Sequence, residues 1–139
     1  MSFREKSAWI SLVSILLVSG FFFWHVPSRT TAESHPALVR GLIYCVIALA
    51  LIEVVAHLVV AIRAPKDAKA PKDERERVIE LKAIRIAHYV FVVGVLLAVS
   101  SMIHIGANVF AMAYHVLMAF VVAELANYGA RIVYHRRGV

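Results

Sequence analysis

The sequence predicts an all-α integral membrane protein, an antiparallel bundle of four transmembrane helices with both termini in the cytoplasm (N-in/C-in). Three observations predict it. Of 139 residues, 61% are hydrophobic and 17% charged, with a mean hydropathy of +0.76; a soluble chain this short could not bury so much apolar surface. The apolar residues fall into four runs, about 7–24, 37–62, 84–104 and 110–134, each near the roughly 20 residues that cross a bilayer. Finally, 13 of the 15 Lys and Arg lie before Ser7, between Arg63 and Arg85, or after Gly129, the positive-inside pattern. The net charge of +6 thus reflects topology rather than a nucleic-acid partner. One membrane domain, residues 1–139 with a cytoplasmic loop at 63–83, is expected.

The first run follows Arg4 and Lys6, which hold the N-terminus inside, and no Ala-x-Ala cleavage pattern succeeds it. Phe21, Phe22, Phe23 and Trp24 are expected to form an aromatic belt at the outer interface. His25 to Pro36 is a short external loop, rich in Pro, Ser and Thr. The second run ends at Arg63, and Arg40 near its outer end can snorkel to the headgroups. The sole cysteine, Cys45, lies within this run, so no intrachain disulfide is possible.

The repeats Ala64-Pro-Lys66 and Ala70-Pro-Lys72 disfavour helix and predict a flexible connector. Asp73 is a candidate N-cap, and Asp73 and Glu74 both reach Arg77 at helical spacing. The helix begun there should continue unbroken into the third span. Gly106-Ala-Asn108 makes the outer turn, and the fourth run stops at His135-Arg-Arg137. The halves share a pattern: Glu53 and Glu124 each lie slightly to the cytoplasmic side of mid-span. A two-span tandem repeat about an axis along the membrane normal is one reading; chance likeness of two apolar stretches is the other.

Those glutamates are the most informative positions, because a carboxylate at a helix centre costs roughly 2.5–3.5 kcal/mol on insertion scales. His57 lies one turn from Glu53 on the same face. Glu124, Asn127, Tyr128, Arg131 and His135 form a polar stripe along the fourth span, beside small packing residues Ala119, Ala123, Ala126 and Ala130. A proton- or cation-linked transporter or channel using Glu53 and Glu124 is one reading. A hydrogen-bonded packing network, Glu53 with His57 and Glu124 with Asn127 or Arg131, is the plainer one.

The histidines raise b-type haem, with His57 and His88 at comparable depth as the candidate axial pair. A two-haem arrangement fails, since His88 and His104 are 16 residues apart and at about 100° per residue face opposite ways. No resident cofactor is otherwise expected, and a metal site at Glu53, His57 and the fourth span is no better supported. No nucleophile elbow, phosphate loop or Cys-x-x-Cys occurs, so catalysis is not expected. Ser11, Ser14, Ser19, Ser100 and Ser101 are read as helix-packing positions.

The charged run has its own candidates. Asp73, Glu74, Arg75 and Arg77, with an apolar stripe of Val78, Leu81 and Ile84, make an amphipathic turn suited to docking a partner protein. As the bland alternative, it is a solvated extension of span three whose basic residues attract anionic headgroups. Five acidic residues between Arg63 and Arg85 argue against binding nucleic acid directly. The leading expectation is a regulatory or accessory subunit; a homodimer is expected because four spans make a thin bundle for two buried acids.

Asp73-Glu74-Arg75, Ile79, Lys82-Ala83 and Ile86-Ala87-His88-Tyr89, with Glu124 and Tyr134-His-Arg-Arg137, resemble a family of small uncharacterised four-span prokaryotic membrane proteins. The resemblance implies a bacterial or archaeal cytoplasmic (inner) membrane. It also implies a membrane-held antagonist or sensor, since related proteins tend to be encoded beside helix-turn-helix regulators. It implies no activity.

Overall fold

In a computed structural model the described residues are 3–25, 35–63, 65, 73–105 and 109–137, and all but Asp73 are helical. Its four helices are α1 (Phe3–His25), α2 (His35–Arg63), α3 (Glu74–Ile105) and α4 (Val109–Arg137). All four are long and apolar enough to cross a membrane. The Ala-Pro-Lys repeats apart from Pro65, the outer turn at 106–108 and Arg29 lie outside the described residues.

Local chemistry explains the ends. Pro36 occupies the first turn of α2, where its missing N–H costs nothing. Asp73 begins α3: its Oδ1 accepts the Glu74 N–H at 2.7 Å, while Glu76 Oε2 accepts the Asp73 N–H at 3.2 Å. The second bond is the returning half of a capping box, Asp73-x-x-Glu76. The first intrahelical bond follows, from the Arg77 N–H to the Asp73 carbonyl at 3.1 Å. At the other end of α3, the His104 ring approaches the Ser100 carbonyl at 3.1 Å, as His25 does Phe21 in α1 at 2.9 Å.

The extensive interfaces among the described residues are α3 on α4, α4 on α1 and α1 on α2. The helices therefore form a row in the order α2, α1, α4, α3. Among the described residues α2 and α3 share no such extensive interface. Neighbours run antiparallel, as the pairs Ser11–Glu53, Arg136–Glu5 and, between α3 and α4, Glu80–Arg131 with Gly94–Ala119 require.

Small and polar side chains fill the seams. Ala8, Ser11, Ser14 and Asn127 are buried, as are Ala83, Ala98, Ala119 and Ala123. Large apolar residues such as Leu17, Leu51, Val54 and Leu96 face outward, and nothing in the apolar window Val39–Ile62 of α2 is buried. At the tightest point a Cβ built on Gly94 would lie 2.5 Å from the Ala119 Cβ. The aromatic cluster at the end of α1 is divided rather than a uniform belt. Phe22 is only 4% exposed and Phe23 stacks edge-on with Tyr114 at 5.1 Å, while Phe21 and Trp24 point outward.

Candidate functional site

Helical spacing sets the first group of side chains. Glu53 and His57 share a face of α2, and His57 Nε2 lies 2.9 Å from Glu53 Oε2. Ser7 and Ser11, also four apart, share the facing side of α1. Ser11 donates to Glu53 Oε2 at 2.8 Å, and its hydroxyl lies 3.4 Å from His57 Nε2; Ser7 Oγ lies 3.4 Å from His57 Nδ1. The other carboxylate oxygen, Glu53 Oε1, is enclosed and has no hydrogen-bond partner. Carboxylate, imidazole and two hydroxyls thus form one cluster able to hold and exchange a proton.

The second group runs along α4. Asn127 donates to Glu124 Oε2 at 3.4 Å, and Arg131 donates through Nε to Asn127 Oδ1 at 3.1 Å. Arg131 also reaches Glu80 Oε1 on α3 at 3.5 Å and lies 5.4 Å above the Tyr128 ring. The stripe is therefore a chain of contacts from Glu124 to α3. His135, at the end of the stripe, is half-buried.

Both groups border one cavity of about 320 Å³ between α1, α2 and α4. Glu53 and Tyr128 line one end, with Glu124 one turn in from Tyr128, and Phe22, Phe23 and Leu42 line the other; the rest of the wall is almost wholly apolar. A second hollow of about 390 Å³ lies between α3 and α4 around Gly94 and His115, whose Nδ1 is buried without a partner.

The charged start of α3 has a different geometry. Asp73, Glu74, Arg75 and Arg77 are exposed. Val78, Leu81 and Ile84, at 42%, 66% and 47% exposure, point outward, while Ile79 and Ala83, at 2% and 0%, are the residues that pack. Glu80 is held by Arg131, so the inner face of this turn is pinned to α4.

His57 and His88 are not brought together. His57 belongs to the cluster between α1 and α2, whereas His88 is exposed on α3, with the adjacent Tyr89 ring 6.0 Å away. Among the described residues no group of three His, Cys, Asp or Glu is arranged to hold a metal ion. Sequence reasoning missed Ser7 and treated Ser11 as packing; the signal was the polar line Ser7, Ser11, Ser14 on an otherwise apolar helix. It also missed Glu5, which is buried and accepts from Arg136 Nε at 3.2 Å, with Arg136 lying 5.6 Å from the Trp9 ring.

No family model, curated protein or solved structure matches this chain.

Proposed function

We propose that the chain is a non-enzymatic, multi-pass protein of a bacterial or archaeal cytoplasmic membrane, N-in and C-in, that docks a partner protein through the start of α3. The outward-facing large apolar residues and small, polar-bearing seams support a lipid surround, where close approach and hydrogen bonds hold helices together. The lengths support the placement of the docking element. At 1.5 Å per residue, the 32 residues of α3 span about 48 Å, against about 30 Å of hydrocarbon. The excess of about 12 residues corresponds to Glu74–Arg85, beside the most basic segment of the chain.

The observation that carries the reading is the split of this extension into two faces. Ile79 and Ala83 fasten it to α4, leaving Val78, Leu81 and Ile84 as a held, exposed apolar stripe among charges, the arrangement by which a helix engages a groove. A photo-crosslinking residue at Leu81 is expected to yield one discrete protein adduct in native membranes, and Val78→Asp to diminish it severalfold. Adducts to lipid alone at Leu81 would overturn the assignment.

A second reading is favoured by the cavity: a small proton- or cation-coupled transporter using Glu53 and Glu124. Interhelical hydrogen bonds in lipid contribute about 0.6 kcal/mol each, against roughly 2.5–3.5 kcal/mol to hold a carboxylate at mid-span. Glu53 has Ser11 and His57 to offset that cost. Among the described residues Glu124 accepts one long bond, from Asn127, too little for a packing role alone.

A further inference from the structure

We propose that the cavity between α1, α2 and α4 binds a single-tailed amphiphilic amine, with its ammonium at Glu53 and Glu124 and its hydrocarbon tail laid toward Phe22 and Phe23. This deepens the second reading by naming a ligand class, and it rests on that reading's use of the two glutamates; it is independent of docking through α3.

Glu53 and Glu124 lie away from Phe22 and Phe23 in the cavity, and the Ser19 hydroxyl near the other end is taken up by the Ile15 carbonyl of its own helix. Leu42 and Glu53 on α2, and Leu117 and Tyr128 on α4, bound it along its length. Each pair is 11 residues apart, about 16 Å at 1.5 Å per residue. A volume of about 320 Å³ over that length gives a mean cross-section of about 20 Å². Nonbonded carbons approach to about 3.5–4.0 Å, so this is the width of one alkyl chain. The volume lies at the lower end of the range for small-molecule sites, about 300–1,000 Å³.

Charge selects the headgroup. Among the described residues two carboxylates and no Lys or Arg line the cavity; the nearby Arg131 is engaged by Asn127, Glu80 and Tyr128. Glu53 Oε2 is occupied by Ser11 and His57, but Oε1 is enclosed and unpartnered. An ionised carboxylate oxygen can only accept, and an ammonium brings three N–H donors. A primary ammonium brings this atom both a donor and an opposite charge, whereas a quaternary ammonium brings charge without a donor, an alcohol a donor without charge, and a fatty carboxylate neither. In an apolar enclosure such charge-assisted bonds are at their strongest.

The test uses the full chain in phosphatidylcholine nanodiscs, with radiolabelled n-decylamine in equilibrium dialysis and empty discs subtracted. Saturable binding is expected, undisplaced by equal decanol or decanoate. It should be weakened at least tenfold by Glu53→Gln with Glu124→Gln, and lost in Leu42→Trp, which fills the tail end of the cavity 11 residues from Glu53. Should the double variant fail to fold, each single variant is expected to weaken binding at least threefold. Uptake no greater than in empty discs, equal displacement by decanol, or undiminished binding in the glutamine variants would overturn the proposal; the last two results describe a groove for any acyl chain. Proton flux measured without amine separates the two ideas. Saturable amine binding without flux overturns transport and leaves the site, whereas glutamate-dependent flux without amine binding does the reverse.

Discussion

Replacing Gly94 by alanine tests the closest approach made at any of the described glycines. The added Cβ would stand 2.5 Å from the Ala119 Cβ and 3.3 Å from its Cα. Carbon atoms settle at about 3.5–4.0 Å, so α3 and α4 must separate locally by about 1–1.5 Å. Neither methyl can rotate away, because each is fixed to its backbone. Overpacking of this kind costs about 1–3 kcal/mol, set against up to about 1 kcal/mol gained by replacing a helical glycine. Gly20, in the body of α1 with nothing within 4 Å of its Cβ position, supplies that gain without the clash. Reversible unfolding in mixed micelles, followed by circular dichroism, should therefore place Gly94→Ala about 1–3 kcal/mol below Gly20→Ala. Measured against Ala119→Gly alone, which carries the cost of its own new helical glycine, adding Gly94→Ala should lose most of that penalty, since the opposing methyl is gone. Equal stability of Gly94→Ala and Gly20→Ala, or the same penalty in the Ala119→Gly background, would refute the tight α3–α4 seam.

Two further perturbations follow from the described contacts. Glu53→Gln with Glu124→Gln is expected to abolish proton flux into proteoliposomes driven by an imposed potential; undiminished flux would remove the transport reading. Asp73→Ala should cost about 1 kcal/mol of local stability by deleting the cap of α3, seen as faster amide exchange confined to residues 74–78; unchanged exchange there would count against the capping box.

The helices were legible because apolar runs are long and their ends are marked by charge, Pro or His. α3 could be followed from Asp73 through the third span because no breaker interrupts it. Neighbour order was not legible. In a chain whose outward faces are apolar, hydrophobic periodicity no longer tells inside from outside, and contact is decided by small residues such as Gly94 and Ala119. On α3 the same effect hid the packing face: Val78, Leu81 and Ile84 satisfy helical spacing and are exposed, but Ile79 and Ala83 satisfy it equally and are the buried pair. Glu53 and Glu124 were found separately from their cost in an apolar run. That they border one cavity depends on α1 lying between α2 and α4, which spacing along each helix cannot express. Ser7 and Ser11 were passed over because a hydroxyl in an apolar helix carries no sign of which neighbour it serves.

The helix order has a consequence for how the molecule is put together. During synthesis α1 and α2 can pair as soon as both have left the ribosome, but α3 emerges with no extensive berth on either. Its seat is α4, made last, and α4 must also close on the free flank of α1. A nascent chain stalled before residue 109 would thus hold a finished hairpin beside a stray third segment, and the closing helix would join the two in a single late step.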